Sequence, residues 1–130
     1  AGERHRPGFT LVEILIVTAI FGLLAAIAIY RTTETTRQAH LAVLKSDLRS
    51  MTVAQEIHHQ TALAYAALED LPDLQESAGV TIDLTWLDRN GYAATAAHTR
   101  LPNTTCGVFR GPAADGVAAP AEVEGVIACQ

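Results

Sequence analysis

The chain has 130 residues, 49% of them hydrophobic, and a formal net charge of −5 at pH 7. This acidic balance argues against a protein that binds nucleic acid through a basic surface. The sequence also lacks a G-x-S-x-G motif, a phosphate-binding glycine loop and a metal-spaced set of histidines and cysteines, so it predicts no enzyme, no metal site and no cofactor.

The first predicted element is an apolar helix over residues 9–30. Its roughly 22 residues are about the number that a helix rising 1.5 Å per residue needs to cross the hydrocarbon layer. Its polar side chains are Thr10, Glu13 and Thr18. Threonine hydroxyls can bond to carbonyls of their own helix, but a carboxylate within a bilayer usually has a specific partner. Glu13 is therefore a candidate functional residue; the alternative is that it lies in water at headgroup level.

The segments that flank this helix predict its orientation. Arg4, His5 and Arg6 precede it, and short basic flanks stay on the cytoplasmic side of a membrane. Residues 29–33, which follow Ala28, contain no A-x-A-like cleavage site, so the apolar segment is expected to be retained. The sequence thus predicts a single-pass protein with its N-terminus inside and the remainder outside.

Residues 8–17 read Gly-Phe-Thr-Leu-Val-Glu-Ile-Leu-Ile-Val and resemble the N-terminal signature of type IV pilins and of the pseudopilins of type II secretion. The resemblance implies that residues 1–8 are a leader, which a prepilin peptidase removes between Gly8 and Phe9, and that the new amine of Phe9 is methylated. It also implies that Glu13 neutralises the N-terminal amine of a neighbouring subunit during filament growth. The implied partners are copies of the same chain, the inner membrane before assembly, and the inner-membrane pilus assembly machinery.

The sequence departs from this family within the apolar helix. Many pilins have a proline where this chain has Tyr30, and that proline accompanies a melted stretch of helix in the filament. Gly22 matches the usual glycine, which costs a helix interior about 1 kcal/mol relative to alanine. We therefore expect either a continuous helix or local loosening near Gly22.

A second helical segment, residues 31–68, is predicted to continue the first. Its apolar residues recur at three- and four-residue intervals: Leu41, Leu44, Leu48 and Met51. Charged residues, Asp47 among them, are expected on other faces of this amphipathic helix. No proline or glycine lies between Gly22 and Pro72, so the helix is expected to run to about Ala67.

Residues 69–130 are predicted to form a small β-sheet head. Alternating apolar and polar residues indicate a half-buried first strand, and Asn90-Gly91 is a typical hairpin turn. The predicted strands are 80–86, 92–98, 105–110 and 122–129. The expected fold class is α+β, in which a long N-terminal helix packs on a small antiparallel sheet, as in pilins.

Two cysteines, Cys106 and Cys129, fall in this candidate sheet and are the only ones in the chain. The predicted topology places both outside the cytoplasm, where disulfides persist. We expect a disulfide that stabilises the head by about 3 kcal/mol; the alternative is a pair of buried free thiols. The closed region resembles the disulfide-bounded C-terminal region of many type IV pilins. Residues 111–120, rich in alanine and turn formers, are expected to form an exposed loop.

Together these features predict a structural subunit of a type IV pilus, polymerising through its N-terminal helix into an extracellular filament for adhesion, motility or DNA uptake. Two alternatives stay open: a pseudopilin of type II secretion, and a single-pass membrane-anchored binding domain that does not polymerise. The protein is expected in the bacterial inner membrane before assembly and in the extracellular pilus afterwards. The sequence contains no basic, aromatic groove for direct binding of nucleic acid.

Overall fold

The computed structural model describes Gly2 and residues 8–130. It has the predicted α+β architecture, with a long helix, a single 3₁₀ turn at Leu68–Asp70 and an antiparallel sheet. The helix and the four strands are α1 (Leu11–Ala62), β1 (Val80–Asp88), β2 (Gly91–His98), β3 (Leu101–Arg110) and β4 (Ala128–Cys129). The chain forms two compact units, residues 1–36 and 37–130.

The first unit contains the start of α1, which is fixed by a side-chain cap. The Glu13 N–H donates to the Thr10 hydroxyl at 3.2 Å and to the Thr10 carbonyl at 3.1 Å. A threonine followed three residues later by a glutamate is the order of a capping box. The helix therefore begins at Leu11, slightly later than the predicted start at Phe9, and it is continuous through Gly22 and Tyr30.

Apolar side chains cover every side of this part of α1. From Phe9 to Tyr30 the large hydrophobic side chains are between 44% and 82% exposed. By length and composition, α1 is able to cross a membrane through this segment near the N-terminus. A helix that is apolar on all faces needs lipid or other helices around it.

The second unit is built on a four-stranded sheet in the sequential order β1-β2-β3-β4. All neighbouring strands are antiparallel. Gly91 opens β2 directly after the turn, where a Cβ would collide with the Arg110 carbonyl oxygen. β4 is much shorter than the predicted strand 122–129, because the chain turns at Gly125, whose φ is +75°, and its N–H donates to the Phe109 carbonyl at 2.9 Å.

The core of this unit lies between the second half of α1 and one face of the sheet. The predicted apolar stripe supplies Leu44, Leu48 and Met51, all completely buried. The sheet residues that pack with them are Val80, Ile82, Tyr92, Ala94, Ala96, Leu101, Cys106 and Val108. Alternate residues of β2 and β3 therefore face the helix, as the pleat of a strand requires.

The end of α1 differs from the prediction, since the helix stops at Ala62 instead of about Ala67. Leu63 adopts a left-handed conformation with φ of 54°. The buried amide of Gln55 then holds the returning chain, accepting from the Ala66 N–H at 2.9 Å and donating to the Ala66 carbonyl at 2.6 Å. A buried side chain thus helps to end the helix, where the prediction considered only proline and glycine.

β1 also departs from the simple alternation that the sequence suggests. Leu84 pairs with Ala94, whereas Trp86 pairs with Ala93, so Thr85 is an extra residue in the ladder. Such a bulge moves the following side chain to the opposite face. Trp86 consequently packs with Ala93 on the face away from the helix.

The loop of residues 111–120 covers part of this outer face, which corrects the prediction of a wholly exposed loop. Ala118 is only 3% exposed and packs in the same cluster as Ala93. Gly107 in β3 permits this approach, because a Cβ there would overlap the Ala118 carbonyl oxygen. The tip of the loop, around Asp115, is exposed.

Candidate functional site

The candidate site lies where the chain enters α1. Gly8 and Phe9 precede the helix, outside regular secondary structure, and both are exposed. A peptidase can bind an exposed, non-helical peptide bond without first unfolding a helix. The predicted cytoplasmic flank, Arg4 to Arg6, lies outside the described residues.

Glu13 occupies the third position of α1, and its side chain is exposed. A carboxylate in the first turn interacts favourably with the partial positive charge of the unpaired N–H groups there. Glu13 thus has a structural function in the helix terminus that the sequence interpretation missed, although the T-x-x-E order could have revealed it. Within Gly2 and residues 8–130, no ion pair to its carboxylate is present.

The surroundings of Glu13 on α1 are apolar. Thr18, the next polar residue, is already satisfied, since its hydroxyl donates to the Leu15 carbonyl at 3.0 Å. Leu11, Val12 and Ile14 are more than half exposed. Glu13 is therefore the one carboxylate of residues 9–30, on a helix surface that otherwise suits lipid or another apolar helix, where a carboxylate usually has a specific partner.

The two cysteines lie in the head, at the opposite end of the sequence. Cys106 and Cys129 are direct neighbours in the β3–β4 ladder and form the predicted disulfide, with an S–S distance of 2.02 Å. No free cysteine is found in the part of the chain that the structure describes. The bond joins the last residues of the chain to the central part of the sheet.

Asp47 connects the helix to the segment before β1, contrary to the expectation that it lies on a solvent-facing side. It is 6% exposed and accepts from the Ser77 N–H at 2.7 Å and from the Ser77 hydroxyl at 2.8 Å. Its position, three residues after Leu44 and four before Met51, places it on the apolar stripe. That spacing was visible in the sequence.

A polar cluster joins α1 to β3 at the other end of the head. Arg110 Nε donates to Glu56 at 3.1 Å, and the Tyr65 hydroxyl donates to the same carboxylate oxygen at 3.3 Å. The negative charge of Glu56 raises the pKa of Arg110, while burial and then Glu56 raise the pKa of Tyr65. The ring of Tyr65 meets Tyr92 edge-on, with centroids 4.9 Å apart. These contacts hold the head together and show no catalytic arrangement.

A long helix whose exposed, apolar N-terminal segment begins beside a Gly-Phe junction, followed by an antiparallel head with a disulfide, defines a pilin-like subunit. Residues 4–29 match the model of the prokaryotic N-terminal methylation motif. The chain is 32% identical over 67 residues to type II secretion system core protein G of Pseudomonas aeruginosa, covering 52% of this chain and 47% of that protein. It is 32% identical over 100 residues to the type IV wide pilus major component PilA4 of Thermus thermophilus, covering 74% and 76%. The chain therefore belongs to the type IV pilin and pseudopilin family, a family of structural subunits.

Proposed function

We propose that this protein is a structural subunit of a type IV pilus, which assembles through residues 9–30 into an extracellular filament. The observation that carries the proposal is the apolar surface of α1 up to Tyr30, which is exposed in the single chain. The core of the second unit is composed of residues from 44 onwards, so it is complete without this surface. An assembly of many copies would bury the surface once the helix leaves lipid.

In this proposal, cleavage after Gly8 creates a new amine on Phe9, which is then methylated. The amine and the Glu13 carboxylate of each subunit enter an environment from which water is excluded. An unpaired charge there costs several kcal/mol. Pairing the carboxylate of one copy with the amine of another removes this cost, and it also sets the stagger between neighbouring helices.

The pilus is favoured over the pseudopilin by the extent of the similarity. The alignment with the pilus component PilA4 covers 74% of this chain, whereas the alignment with core protein G covers 52%. The longer alignment must include part of the sheet, because its 100 residues exceed the residues that precede β1 at Val80, whereas the 67 residues of the shorter alignment do not.

Mass spectrometry of sheared surface material tests the proposal. We expect long fibres in electron micrographs, and in those fibres a chain that begins at a methylated Phe9 and retains the disulfide. Fibres composed of a chain that still contains residues 1–8 would contradict the proposed processing. Absence of this chain from all surface fibres would contradict the proposal that it is a pilus subunit.

The second candidate function, a pseudopilin of type II secretion, is supported by the similarity to core protein G. Deletion of the gene distinguishes the two functions. Loss of surface fibres with normal protein secretion is expected for the pilus subunit, whereas a secretion defect in cells whose fibres are unchanged would favour the pseudopilin.

A further inference from the structure

His98, the last residue of β2, is a buried histidine whose tautomer is fixed by the turn that follows it. It is only 6% exposed, and its Nδ1 atom accepts a hydrogen bond from the Arg100 backbone N–H at 2.9 Å. A ring nitrogen that accepts does not carry a proton, so the proton of the neutral ring lies on Nε2. Nε2 is therefore a hydrogen-bond donor, and the ring offers no free lone pair to a metal ion.

This donor faces a cavity between α1 and the β2–β3 turn. Within Gly2 and residues 8–130, the proton on Nε2 has no protein acceptor. Nε2 is also not enclosed, since the enclosed side-chain atom without a partner in those residues is the Tyr92 hydroxyl. The cavity has a volume of about 720 Å³ and is lined by His40 and Val43 of α1, by residues 77–79 and by residues 98–100. A group bound there can reach the proton.

Gly79 keeps the donor edge of His98 accessible. Its φ is +81°, a conformation that suits glycine. A Cβ at this position would lie 3.3 Å from His98 Nε2 and 2.9 Å from the Thr99 hydroxyl oxygen. A side chain on residue 79 would thus cover both polar atoms. Because glycine has no side chain, a ligand can approach the Nε2–H and the Thr99 hydroxyl together.

The lining of the cavity is cationic, although the chain as a whole has a net charge of −5. Arg100 contributes its guanidinium, and no carboxylate is among the described residues that line the cavity. Two carboxylates nearby in the fold already accept hydrogen bonds from the protein. Asp47 accepts from Ser77, and Glu76 accepts from the Ile82 N–H at 2.6 Å. The cavity therefore presents donors and positive charge to a ligand.

We propose that this cavity binds an oxyanion, the phosphate or carboxylate group of a small ligand. The Nε2–H of His98 and the hydroxyl of Thr99 donate to its oxygens, and the guanidinium of Arg100 supplies the opposite charge. The ring of His40 packs against that of His98, with centroids 4.3 Å apart, and supports it from the helix. The site goes beyond the proposed function, since its lining residues all belong to the unit 37–130.

An NMR titration tests the site in the full chain, held in dodecyl maltoside micelles, which contain neither phosphate nor carboxylate. Inorganic phosphate and acetate are the two probes, and sodium chloride at equal ionic strength is the control. We expect saturable shifts of the backbone amide signals of Gly79, Thr99 and Arg100 with at least one probe, and none with chloride. The probe that binds more tightly identifies the group. The proposal is overturned if neither probe saturates these signals, or if chloride reproduces the shifts.

His98→Asn separates the proposed donor from the turn. An asparagine oxygen readily accepts from the backbone N–H two residues on, so the bond to Arg100 is kept, while the shorter side chain lacks a donor at the position of Nε2. Binding should weaken at least about tenfold, as expected when a hydrogen bond to a charged group is lost. Thr99→Val, at an exposed residue, is a second variant that removes a donor without touching the buried ring. Native affinity in both variants would overturn the proposal.

Arg100→Gln tests the charge, and it should weaken binding about threefold, as for an exposed charge pair. Arg89→Gln removes an equal charge from the β1–β2 turn, which does not line the cavity, and should bind like the native chain. Equal weakening by the two variants would show a general effect of net charge and overturn the site. The titration uses the single chain, so it decides on this site whether or not cells make fibres.

Discussion

The two ends of α1 carry similar apolar side chains in opposite environments. Between Phe9 and Tyr30 the large side chains are exposed, while Leu44, Leu48 and Met51 are completely buried against the sheet. The second segment finds its apolar partner within the same chain. In the described residues the large side chains of the first segment are exposed, and a surface of this kind suits lipid or other helices.

Two of the carboxylates of α1, Asp47 and Glu13, show the same contrast. Asp47 is buried and accepts two hydrogen bonds from Ser77, so its carboxylate has hydrogen-bond partners within the head. Glu13 is exposed, its backbone N–H donates to the capping hydroxyl of Thr10, and its carboxylate has no ion pair within the described residues. In the proposed function, the N-terminal segment and Glu13 find their partners in other copies of the chain, whereas Asp47 has its partner within the head.

The largest expected effect is the loss of filament yield when the carboxylate of Glu13 is removed. We predict that Glu13→Val lowers the yield of surface filaments at least about tenfold, because the amine of the neighbouring copy would be buried without a counter-charge. Insertion into the membrane should be unchanged. Filament yield is measured by shearing and quantitative immunoblotting, with Glu13→Asp as the charge-retaining control. A native filament yield from the Glu13→Val variant would show that Glu13 has no role in assembly.

Stability of the head should depend on the buried stripe of α1 and not on its exposed face. Leu48→Ala leaves a cavity and is expected to lower the free energy of unfolding by about 2–5 kcal/mol. Val53→Ala, on the exposed side of the same helix, should change it by no more than about 0.5 kcal/mol. Denaturant unfolding followed by Trp86 fluorescence measures both. Equal effects of the two substitutions would contradict the assignment of the packed face.

Loss of the disulfide should weaken the head without changing the N-terminal segment. The double change Cys106→Ser and Cys129→Ser opens a link between residues separated by 23 positions, and it should cost about 3 kcal/mol by the chain-entropy estimate. The same unfolding assay measures the loss, and the native chain in reductant serves as the matched control. If the double serine variant is as stable as the oxidised native chain, the disulfide does not contribute to the stability of the head.

A substitution at Asp47 measures how much a buried, hydrogen-bonded carboxylate contributes to the stability of the head, compared with an exposed one. Asp47→Ala should lower the stability of the head by about 1–3 kcal/mol, because it removes two hydrogen bonds between a buried carboxylate and Ser77. Asp73→Ala, at an exposed aspartate, is the control and should have little effect. Identical unfolding curves for the two variants would indicate that the Asp47 contacts contribute nothing to folding.

The smallest expected effect is on the pH dependence of the stability of the head. Burial raises the pKa of Tyr92 above its usual value of 10.0, so the folded state holds this proton more tightly than the unfolded state. The resulting contribution to stability is complete below pH 10.0 and is lost as the pH rises through the higher folded pKa. Tyr92→Phe should reduce this alkaline loss and change stability at neutral pH by less than about 1 kcal/mol. Unfolding curves at several alkaline pH values test it, and an unchanged slope would contradict the assignment.

Much of the fold could be predicted from local patterns. The hairpin at Asn90-Gly91, the amphipathic stripe and the disulfide follow from turn chemistry, helical period and cysteine count, all of which are short-range or compositional. The errors arose where a residue distant in the sequence decides the outcome. Gln55 binds Ala66 and helps to end α1, and Gly107 admits the carbonyl of Ala118, a contact that no local pattern contains.

The predicted assembly residues need a different explanation. Glu13 could be selected from the sequence because a carboxylate in an apolar segment is costly, whereas Gly8 and Phe9 were selected through the resemblance to the pilin signature.

The order of residues was enough to predict that a long apolar helix precedes a small sheet closed by one disulfide, because period, length and residue type are properties of adjacent residues. The folded arrangement was needed to decide which carboxylate is buried, on which face Trp86 lies and how the loop at Ala118 covers the sheet. Those outcomes depend on the fit between segments that are far apart in the chain, and burial is a property of that fit.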